Sequence, residues 1–260
     1  MKNVLIIGYG VVGQNLAKEL SKLKPDIVDK FKPQYNSIRD IKYDFAFICV
    51  DTPYTEKDIC DTKEVKNALT EYLADIYIIK STVLPSTTSG LAYAYGKKIV
   101  FSPEYYGGTQ HCNNFDFDFT ILGGDKKDCY KVQQLLQEVY DARHSFHITD
   151  STTAELTKYM ENSFLATKVT FCNQFYEIAK ELGVDYEELR ELFVLDNRVG
   201  KSHTFVYDEH PYWESHCLDK DVVAIAEQND AGFLKAVIKF NQKQKNKYKE
   251  LKDEKIIFSI

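Results

Sequence analysis

The stretch Val4-Leu-Ile-Ile-Gly-Tyr-Gly-Val-Val-Gly13 is the most informative segment of this 260-residue chain. An apolar run of strand length leads into three glycines with the spacing G-x-G-x-x-G. In such a turn the first glycine lets the chain turn sharply, the second lets backbone approach a pyrophosphate, and the third lets a helix pack closely. The pattern predicts a strand, a tight turn and a helix over 11–23, whose N-terminal amides attract phosphates. The residues expected to form this phosphate cradle are Gly8, Gly10, Val11, Val12 and Gly13.

An acidic residue, Asp29, ends the next apolar run, Ile27-Val28, sixteen residues after Gly13. At the tip of a second strand a carboxylate binds the ribose hydroxyls of a dinucleotide and would repel the extra phosphate of NADP. The combination predicts a nucleotide site that prefers NAD. The alternative is a glycine turn in a doubly wound domain that binds no nucleotide.

Composition and charge narrow the class of protein. A net charge of −6 and a pI near 5.6 argue against nucleic-acid binding. The lysine-rich segment 235–255 is interleaved with acidic and apolar residues, as in a solvated helix face. No apolar run approaches membrane-spanning length, and Met1 is followed at once by a core strand, which leaves no room for a signal peptide. We expect a cytoplasmic protein with no membrane segment.

The cysteines are expected to be free thiols rather than disulfides or metal ligands. None of the six forms a C-x-x-C pair or has histidines at zinc-ligand spacing, so no metal is expected. Cys49 and Cys172 lie in apolar runs that predict a core position. Cys217 differs, because the charged residues and polar loop around it argue against burial.

The first part of the chain alternates between strand and helix patterns. This alternation predicts a doubly wound parallel sheet of the Rossmann type with helices on both faces, hence an α/β fold. The predicted strands are 3–7, 26–29, 44–50, 76–80, 98–101, 119–122 and 145–148, and the predicted helices are 11–23, 63–74, 86–95 and 126–141.

The character of the sequence changes after Asp150, where Ser151 or Thr152 is predicted to cap a long helix that ends at Gly183. Further helices are predicted from Asp185 to about Val194, over 219–229 and over 231–252. We therefore expect an NAD-binding domain at 1–148, an all-α domain at 149–252 for dimerisation and substrate binding, and a tail at 253–260.

Seven short segments also follow one another in a fixed order along nearly the whole chain. They are Gly8 to Gly13, Val50-Asp-Thr-Pro53, Lys80-Ser-Thr-Val-Leu-Pro85, Ser102-Pro-Glu-Tyr105, Ala154-Glu-Leu-Thr-Lys-Tyr-Met-Glu-Asn162, Asn197-Arg-Val-Gly200 and Cys217-Leu-Asp-Lys-Asp221. After the glycine turn they resemble V-P-T-P, S-T-V-P, S-P-E-F, A-E-L-x-K-x-x-x-N, R-I-G and C-x-x-K-D of the UDP-glucose/GDP-mannose dehydrogenase family. Each segment is weak alone, and their shared order makes the resemblance specific.

The resemblance implies an NAD-dependent four-electron oxidation of a sugar primary alcohol to a carboxylate, with UDP-glucose as the expected substrate. An aldehyde has no second hydride to give until a nucleophile adds to it. A thiolate adds to form a thiohemiacetal, which loses hydride to a second NAD and leaves a thioester for water to hydrolyse. Cys217 is the predicted nucleophile.

The resemblance also implies roles for other residues. Lys158 and Asn162 would stabilise an oxyanion from one helix face, and Lys158 would also contact substrate. Asp221 would activate water or act as a base, and Glu104 would take part in thioester hydrolysis. Thr82 would position a bound water and the nicotinamide, and Thr52 and Lys220 would contact the cofactor. Arg198 would reach the substrate site of a neighbouring subunit. Without the resemblance, Lys158 and Asn162 would be read as helix surface, Thr82 as a strand end and Glu104 as half of a surface ion pair.

The sequence departs from the family pattern in three places. The family's G-F-G-G-x-C loop is Tyr212-Trp-Glu-Ser-His-Cys217 here, and the side chains of Glu214 and Ser215 are expected to crowd or reshape the pocket. Gly107-Gly108 replaces an expected cofactor contact. The chain stops where the family's nucleotide-gripping third domain would begin, so a separate chain is one way to complete the site.

Two other functions stay open at this stage. One is a two-electron dehydrogenase of a 3-hydroxy acid, whose chemistry needs no thiol. The other is a catalytically silent NAD-binding or partner-binding subunit. A homodimer through the helical domain is expected in any case, because the exposed apolar helix faces of this domain would be buried in a subunit interface.

Overall fold

A computed structural model describes residues 2–35, 41–55, 59–106 and 117–257. Its sheet has seven strands in the order β2-β1-β3-β4-β5-β6-β7. They are β1 (Val4–Ile7), β2 (Asp26–Val28), β3 (Lys42–Ile48), β4 (Leu73–Ile79), β5 (Ile99–Phe101), β6 (Phe119–Gly123) and β7 (Ser145–Thr149). The α/β fold class and all seven predicted strands are confirmed.

The sheet is not wholly parallel, which corrects the prediction. β6 runs antiparallel to β5, with Phe101 opposite Gly123, and every other strand pair is parallel. An apolar run in the sequence indicates that a strand is buried, but it does not indicate the direction in which the strand runs. Direction is set by the connection 102–118, of which residues 107–116, including Gly107, Gly108 and Cys112, lie outside the described residues.

Eight α-helices are found among the described residues. They are α1 (Val11–Glu19), α2 (Lys63–Glu71), α3 (Thr87–Tyr95), α4 (Lys126–Leu136), α5 (Ser151–Leu182), α6 (Tyr186–Phe193), α7 (His216–Gln228) and α8 (Gly232–Ile257), with 3-10 turns at Leu20–Leu23 and Pro33–Tyr35. α2 and α4 end earlier than predicted, α2 because the chain enters β4 at Leu73. α8 continues through Ile257 into the predicted tail, whose last residues, 258–260, are not described.

The sheet buries apolar side chains on both faces, because successive residues of a strand point to opposite sides. Leu5 and Ile7 pack in a cluster with Val65 of α2 and Leu91 of α3, and Val4 and Ile6 lie in a second cluster. That second cluster holds residues of α1 and α4. The predicted helices on both faces are confirmed.

Backbone contacts divide the chain into two compact units, Met1–Lys158 and Tyr159–Ile260. The first holds the sheet, and the second holds most of α5 together with α6, α7 and α8. Inside the second unit, Ala166, Trp213, Val222 and Val237 form a buried apolar cluster. The division predicted at 148/149 falls at the end of β7 and stays a prediction.

The start of α5 differs from the prediction. Asp150, rather than Ser151 or Thr152, caps the helix: its Oδ1 accepts the Thr153 backbone N–H at 2.9 Å, and its Oδ2 accepts the Thr153 hydroxyl at 2.6 Å. A carboxylate accepts several donors at once and therefore competes well with a hydroxyl for this position. Across the described ranges, no helix combines the length and apolar content needed to cross a bilayer.

Candidate functional site

The glycine turn lies where the strand order reverses. β1 pairs with β2 on one side and with β3 on the other. In open sheets of this kind, ligands usually bind beyond the carboxyl ends of the strands at such a reversal. Gly8 has φ +92°, and a Cβ there would lie 2.5 Å from the carbonyl oxygen of Cys49. A Cβ on Gly13 would lie 2.0 Å from the carbonyl oxygen of Gly8. The fold itself requires these two glycines.

Gly10 is different, because the fold does not require a glycine there. Its φ is −76°, and a Cβ built on it would meet no atom of the described residues within 4 Å. Gly10 is also the N-cap of α1, and it has no side chain to accept the free amides of the first helical turn. The surface above Gly10 is therefore open to a phosphate group that binds to these amides.

Asp29 lies just after β2 and supports the glycine turn. Its Oδ2 accepts the backbone N–H of Tyr9 at 2.8 Å, and its Oδ1 accepts the N–H of Phe31 at 2.9 Å. The ammonium of Lys32 donates to the Tyr9 carbonyl from the other side. Each carboxylate oxygen keeps a further lone pair, so this arrangement is compatible with the predicted ribose contact.

Two of the predicted cofactor residues are joined to each other. Thr52, which follows β3, is 2% exposed, and its hydroxyl donates to the Thr82 carbonyl at 2.7 Å. Thr82 follows β4 and is half-buried. The Thr52 hydroxyl thus holds the two loops together, a structural role that the sequence did not indicate.

Glu104 follows β5 at the same edge of the sheet. Its Oε2 accepts the backbone N–H of Tyr106 at 2.7 Å. Lys158, on the first turns of α5, is buried, and its ammonium lies 4.8 Å from the ring centroid of Tyr105. The structure thus brings Lys158 to the segment that carries Glu104, and Lys158 is not helix surface.

Sequence reasoning assigned no role to two polar groups at this edge, Cys49 and Lys80. Burial raises the pKa of the Cys49 thiol to about 12, an effect that Lys80 opposes and Glu104 reinforces. Burial lowers the pKa of Lys80, whose ammonium lies 3.2 Å from the Pro103 carbonyl and 3.4 Å from the Ser102 hydroxyl. The signal in the sequence was a lysine directly after an apolar strand.

Glu155, which belongs to the segment that begins at Ala154, has a structural role that the sequence did not indicate. It is fully buried on α5, and its two carboxylate oxygens accept the backbone N–H groups of Ser86, at 2.6 Å, and Thr88, at 2.7 Å. Burial raises the pKa of Glu155, and these hydrogen bonds act against that rise. A carboxylate distant in sequence therefore caps α3 and ties it to α5.

In the second unit, three predicted residues form one connected group. The Asn162 amide donates to Asp221 Oδ2 at 2.6 Å, and the Lys220 ammonium lies 2.7 Å from Asp221 Oδ1. Asn162 and Asp221 are 4% and 1% exposed, so neither is surface. The group offers a buried carboxylate held between an amide and a cation.

Cys217 lies on the first turn of α7 and is exposed, as predicted. Ser215 caps this helix, since its hydroxyl accepts the Leu218 N–H at 3.0 Å, and Asp219 accepts the Ser215 N–H at 2.6 Å. Glu214 pairs with Lys245 of α8 at 2.5 Å. The side chains that replace the family's glycines are thus engaged within the second unit.

The loop before α7 is also fixed to α8. The Asn241 amide accepts the Trp213 backbone N–H and donates to its carbonyl, both at 2.9 Å. The Trp213 indole is buried and donates to the Thr170 hydroxyl at 2.9 Å. Sequence reasoning missed this clamp, because its members are 28 and 43 residues apart.

Arg198 is exposed and pairs with Asp196 two residues earlier. The five cysteines inside the described ranges form no disulfide, and Cys172 is buried as predicted, whereas the side chain of Cys49 keeps part of its surface exposed. Within the same ranges, no three His, Cys, Asp or Glu side chains are grouped so as to hold a metal ion.

Comparisons with known proteins agree with the motif order. A family model described as "UDP-glucose/GDP-mannose dehydrogenase family, central domain" matches residues 152–243. The UDP-glucose 6-dehydrogenase of Rickettsia felis is 31% identical over 218 residues, which cover 76% of this chain and 47% of that protein. The UDP-N-acetyl-D-mannosamine dehydrogenase of Methanococcus vannielii is 26% identical over 265 residues, 91% of this chain and 60% of that protein.

The fold also matches a solved structure of a UDP-glucose dehydrogenase from Pyrobaculum islandicum, with a TM-score of 0.75 and 23% identity over 93% of this chain and 68% of that one. The chain spans about half the length of the UDP-glucose 6-dehydrogenases it matches. The relative that is 31% identical over 76% of this chain shows that the chain belongs to the UDP-glucose/GDP-mannose dehydrogenase family, in agreement with the central-domain match and the ordered motifs.

Proposed function

We propose that this chain binds NAD at the glycine turn and serves in the oxidation of a nucleotide sugar's primary alcohol to a carboxylate, with Cys217 as the nucleophile. UDP-glucose is the favoured substrate, because the relatives at about 30% identity are named UDP-glucose 6-dehydrogenases. UDP-N-acetyl-mannosamine is the second choice, since such dehydrogenases align over more of the chain.

The observation that carries the proposal is the setting of Cys217. Its thiol is exposed on the first turn of a capped helix, where the helix dipole favours a thiolate. One turn later, Asp221 is buried and held by Asn162 and Lys220. A nucleophile and a fixed carboxylate on one short helix are the groups that addition to an aldehyde and hydrolysis of a thioester require.

The glycine turn fits a dinucleotide on structural grounds. Two of its glycines are needed for packing, whereas Gly10 is open and leaves room for a pyrophosphate. Asp29 and the first turn of α1 would hold the ribose and the phosphates. When bound, NAD supplies the acceptor for the hydride in each of the two oxidation steps.

The protein groups divide the remaining chemistry among them. The Cys217 thiolate adds to the aldehyde carbon and forms a carbon–sulfur bond, and the resulting oxyanion is stabilised by the cation of Lys158 and the amide of Asn162. After hydride loss the product is a thioester. Asp221, with Glu104, removes a proton from the attacking water, and the carbon–sulfur bond breaks to release the carboxylate and the thiolate.

We propose that the second unit forms a homodimer. Large apolar side chains are exposed along α5, α6 and the turn after α6: Met160, Phe164, Leu182, Leu192 and Leu195 are each more than 60% exposed. Exposed apolar surface of this extent commonly marks a site of contact with another protein chain. Arg198 is fully exposed beside it and would reach the substrate site of the partner, and a further chain or segment would bind the nucleotide half of the sugar substrate.

The decisive experiment counts NADH released per UDP-glucose in a stopped assay, together with the intact mass of the protein. Two NADH per sugar, and loss of the second in Cys217→Ala, support the proposal. One NADH that does not depend on Cys217 indicates a two-electron hydroxy-acid dehydrogenase instead. No NADH, with NAD still bound, indicates a silent NAD-binding subunit.

Cofactor binding is tested separately by calorimetry on Gly10→Ala. The matched control is Gly90→Ala on α3, where a Cβ would also meet nothing within 4 Å. We expect both variants to fold and only Gly10→Ala to lose at least tenfold in NAD affinity. Equal affinity in the two variants would contradict the assignment of Gly10 to the pyrophosphate.

A further inference from the structure

Lys80 directly follows β4, a strand at the centre of the sheet, and its ammonium has an unusual set of partners. It donates to the Pro103 carbonyl at 3.2 Å and lies 3.4 Å from the Ser102 hydroxyl. Both partners are neutral oxygens. Among the described residues, no carboxylate lies within ion-pair distance of this ammonium.

Lys80 is only partly exposed, and a partly desolvated cation with no ion-pair partner among the described residues is costly, because its hydrogen bonds to neutral oxygens only partly offset the lost hydration. Burial accordingly lowers the pKa of Lys80, and Lys158 adds to this, while Cys49, Glu104 and Glu19 oppose it. A methionine of similar length would avoid the cost. The structure therefore places a partly desolvated cation directly after the most buried part of β4, where its hydrogen bonds to residues 102 and 103 are its described polar contacts.

The two partners of Lys80 are the two residues that precede Glu104. Ser102 is also fixed by its own backbone N–H, which donates to the Ile79 carbonyl at 2.9 Å. Beyond the carboxylate, the Tyr106 backbone donates to Glu104, and the Tyr106 hydroxyl binds Glu19. The Glu104 turn is thus held at one end by Lys80 and at the other by Tyr106.

We infer that Lys80 is a positioning residue for Glu104: its hydrogen bonds to residues 102 and 103 fix the turn that presents the Glu104 carboxylate at the carboxyl edge of the sheet. The catalytic part of this inference rests on the proposed function, in which Glu104 takes part in thioester hydrolysis. Lys80 itself does not touch the reacting atoms.

The first test needs no activity. Amide hydrogen exchange is measured across 102–106 in Lys80→Met and in Lys98→Met, an exposed lysine just before β5. We expect exchange in this segment to be at least tenfold faster in Lys80→Met only. Unchanged exchange would overturn the inference whether or not the protein is a dehydrogenase. Should Lys80→Met fail to fold, Lys80→Gln, which keeps a donor on a shorter chain, replaces it.

The second test follows catalysis. If Lys80 acts through Glu104, Lys80→Met keeps the first burst of NADH, slows steady turnover at least tenfold, and accumulates a Cys217 thioester detected as an intact-mass adduct. Glu104→Gln should give the same adduct, the double variant should be no slower than Glu104→Gln, and Lys80→Arg should restore part of the rate. A slower burst with no adduct, or additive losses in the double variant, would overturn the inference. If wild type releases no NADH, the proposed function fails, and the exchange result still decides the positioning role.

Discussion

Removal of the Glu155 carboxylate should destabilise the sheet-bearing unit, because this one side chain accepts two backbone donors at the start of α3. The Thr88 N–H is buried, and the Ser86 N–H is partly buried. Each buried donor left without an acceptor costs about 1–3 kcal/mol, so Glu155→Ala has a gross cost of about 2–6 kcal/mol. A buried carboxylate is unfavourable to ionise, as the raised pKa of Glu155 indicates. Removal of this buried charge therefore offsets part of the cost of leaving the two donors without an acceptor. We therefore expect a net loss of about 3 kcal/mol.

The measurement is the free energy of unfolding from urea denaturation at pH 7. Glu155→Gln keeps one acceptor oxygen and should lose about half as much as Glu155→Ala. The control is Glu181→Gln, an exposed glutamate on the same helix, which should change stability by less than about 0.5 kcal/mol. If Glu155→Ala is as stable as the control, the carboxylate does not cap α3 and the reasoning is refuted.

Three other predictions test the fold around the candidate site. Gly8→Ala should lower the free energy of unfolding by more than about 2 kcal/mol, because the added Cβ would meet backbone at 2.5 Å and the residue has a positive φ. The control Gly90→Ala should not destabilise the protein, and equal melting temperatures of the two variants would contradict the packing of the turn. Asn241→Ala removes two hydrogen bonds to the loop before α7 and should lower the free energy of unfolding by about 2 kcal/mol. Gln242 is exposed, so Gln242→Ala should leave stability unchanged, and thermal melts of the two variants would show the difference. The hydrogen bonds of Asp150 to the first turn of α5 lower the pKa of its carboxyl group in the folded protein. Asp150 therefore stabilises the fold at pH values above its ordinary pKa of 3.8, and this stabilisation is lost as the pH falls through the lower pKa of the folded state. Acid titration should therefore show wild type more stable than Asp150→Asn at pH 5 and the difference vanishing at the lowest pH, and a constant difference would contradict this cap.

Much of the fold could be predicted from the sequence because its signals are local. β1 is an uninterrupted apolar run because both of its faces are covered, and the glycines after it are recognised by their spacing along the chain. Helix ends at Gly183 and caps such as Asp185 are also set within a few residues. Buried strands and local turns can therefore be recognised in the sequence without knowledge of tertiary contacts.

The rest depended on contacts between residues distant in sequence. The Glu155 carboxylate meets amides 67 and 69 residues away, and nothing at its own position distinguishes it from a helix-start glutamate. The Lys80 ammonium finds its partners 22 and 23 residues on. The direction of β6 is a property of the connection that leads to it. Motif resemblance identified the residues of the candidate site, but it could not show which of them also hold the structure.

The loop before Cys217 illustrates how side chains can replace glycines without loss of order. Glycines let a loop approach a ligand because they lack a Cβ, but they also make the loop flexible when it is free. Here Trp213 is bound through both its backbone groups to Asn241, and Glu214 is paired with Lys245, so two links join the loop to α8. The position of the Cys217 thiol is consequently coupled to α8, a helix that carries none of the proposed reacting groups. Under the proposed function, a change on α8 that breaks these links would act on Cys217 without touching the substrate.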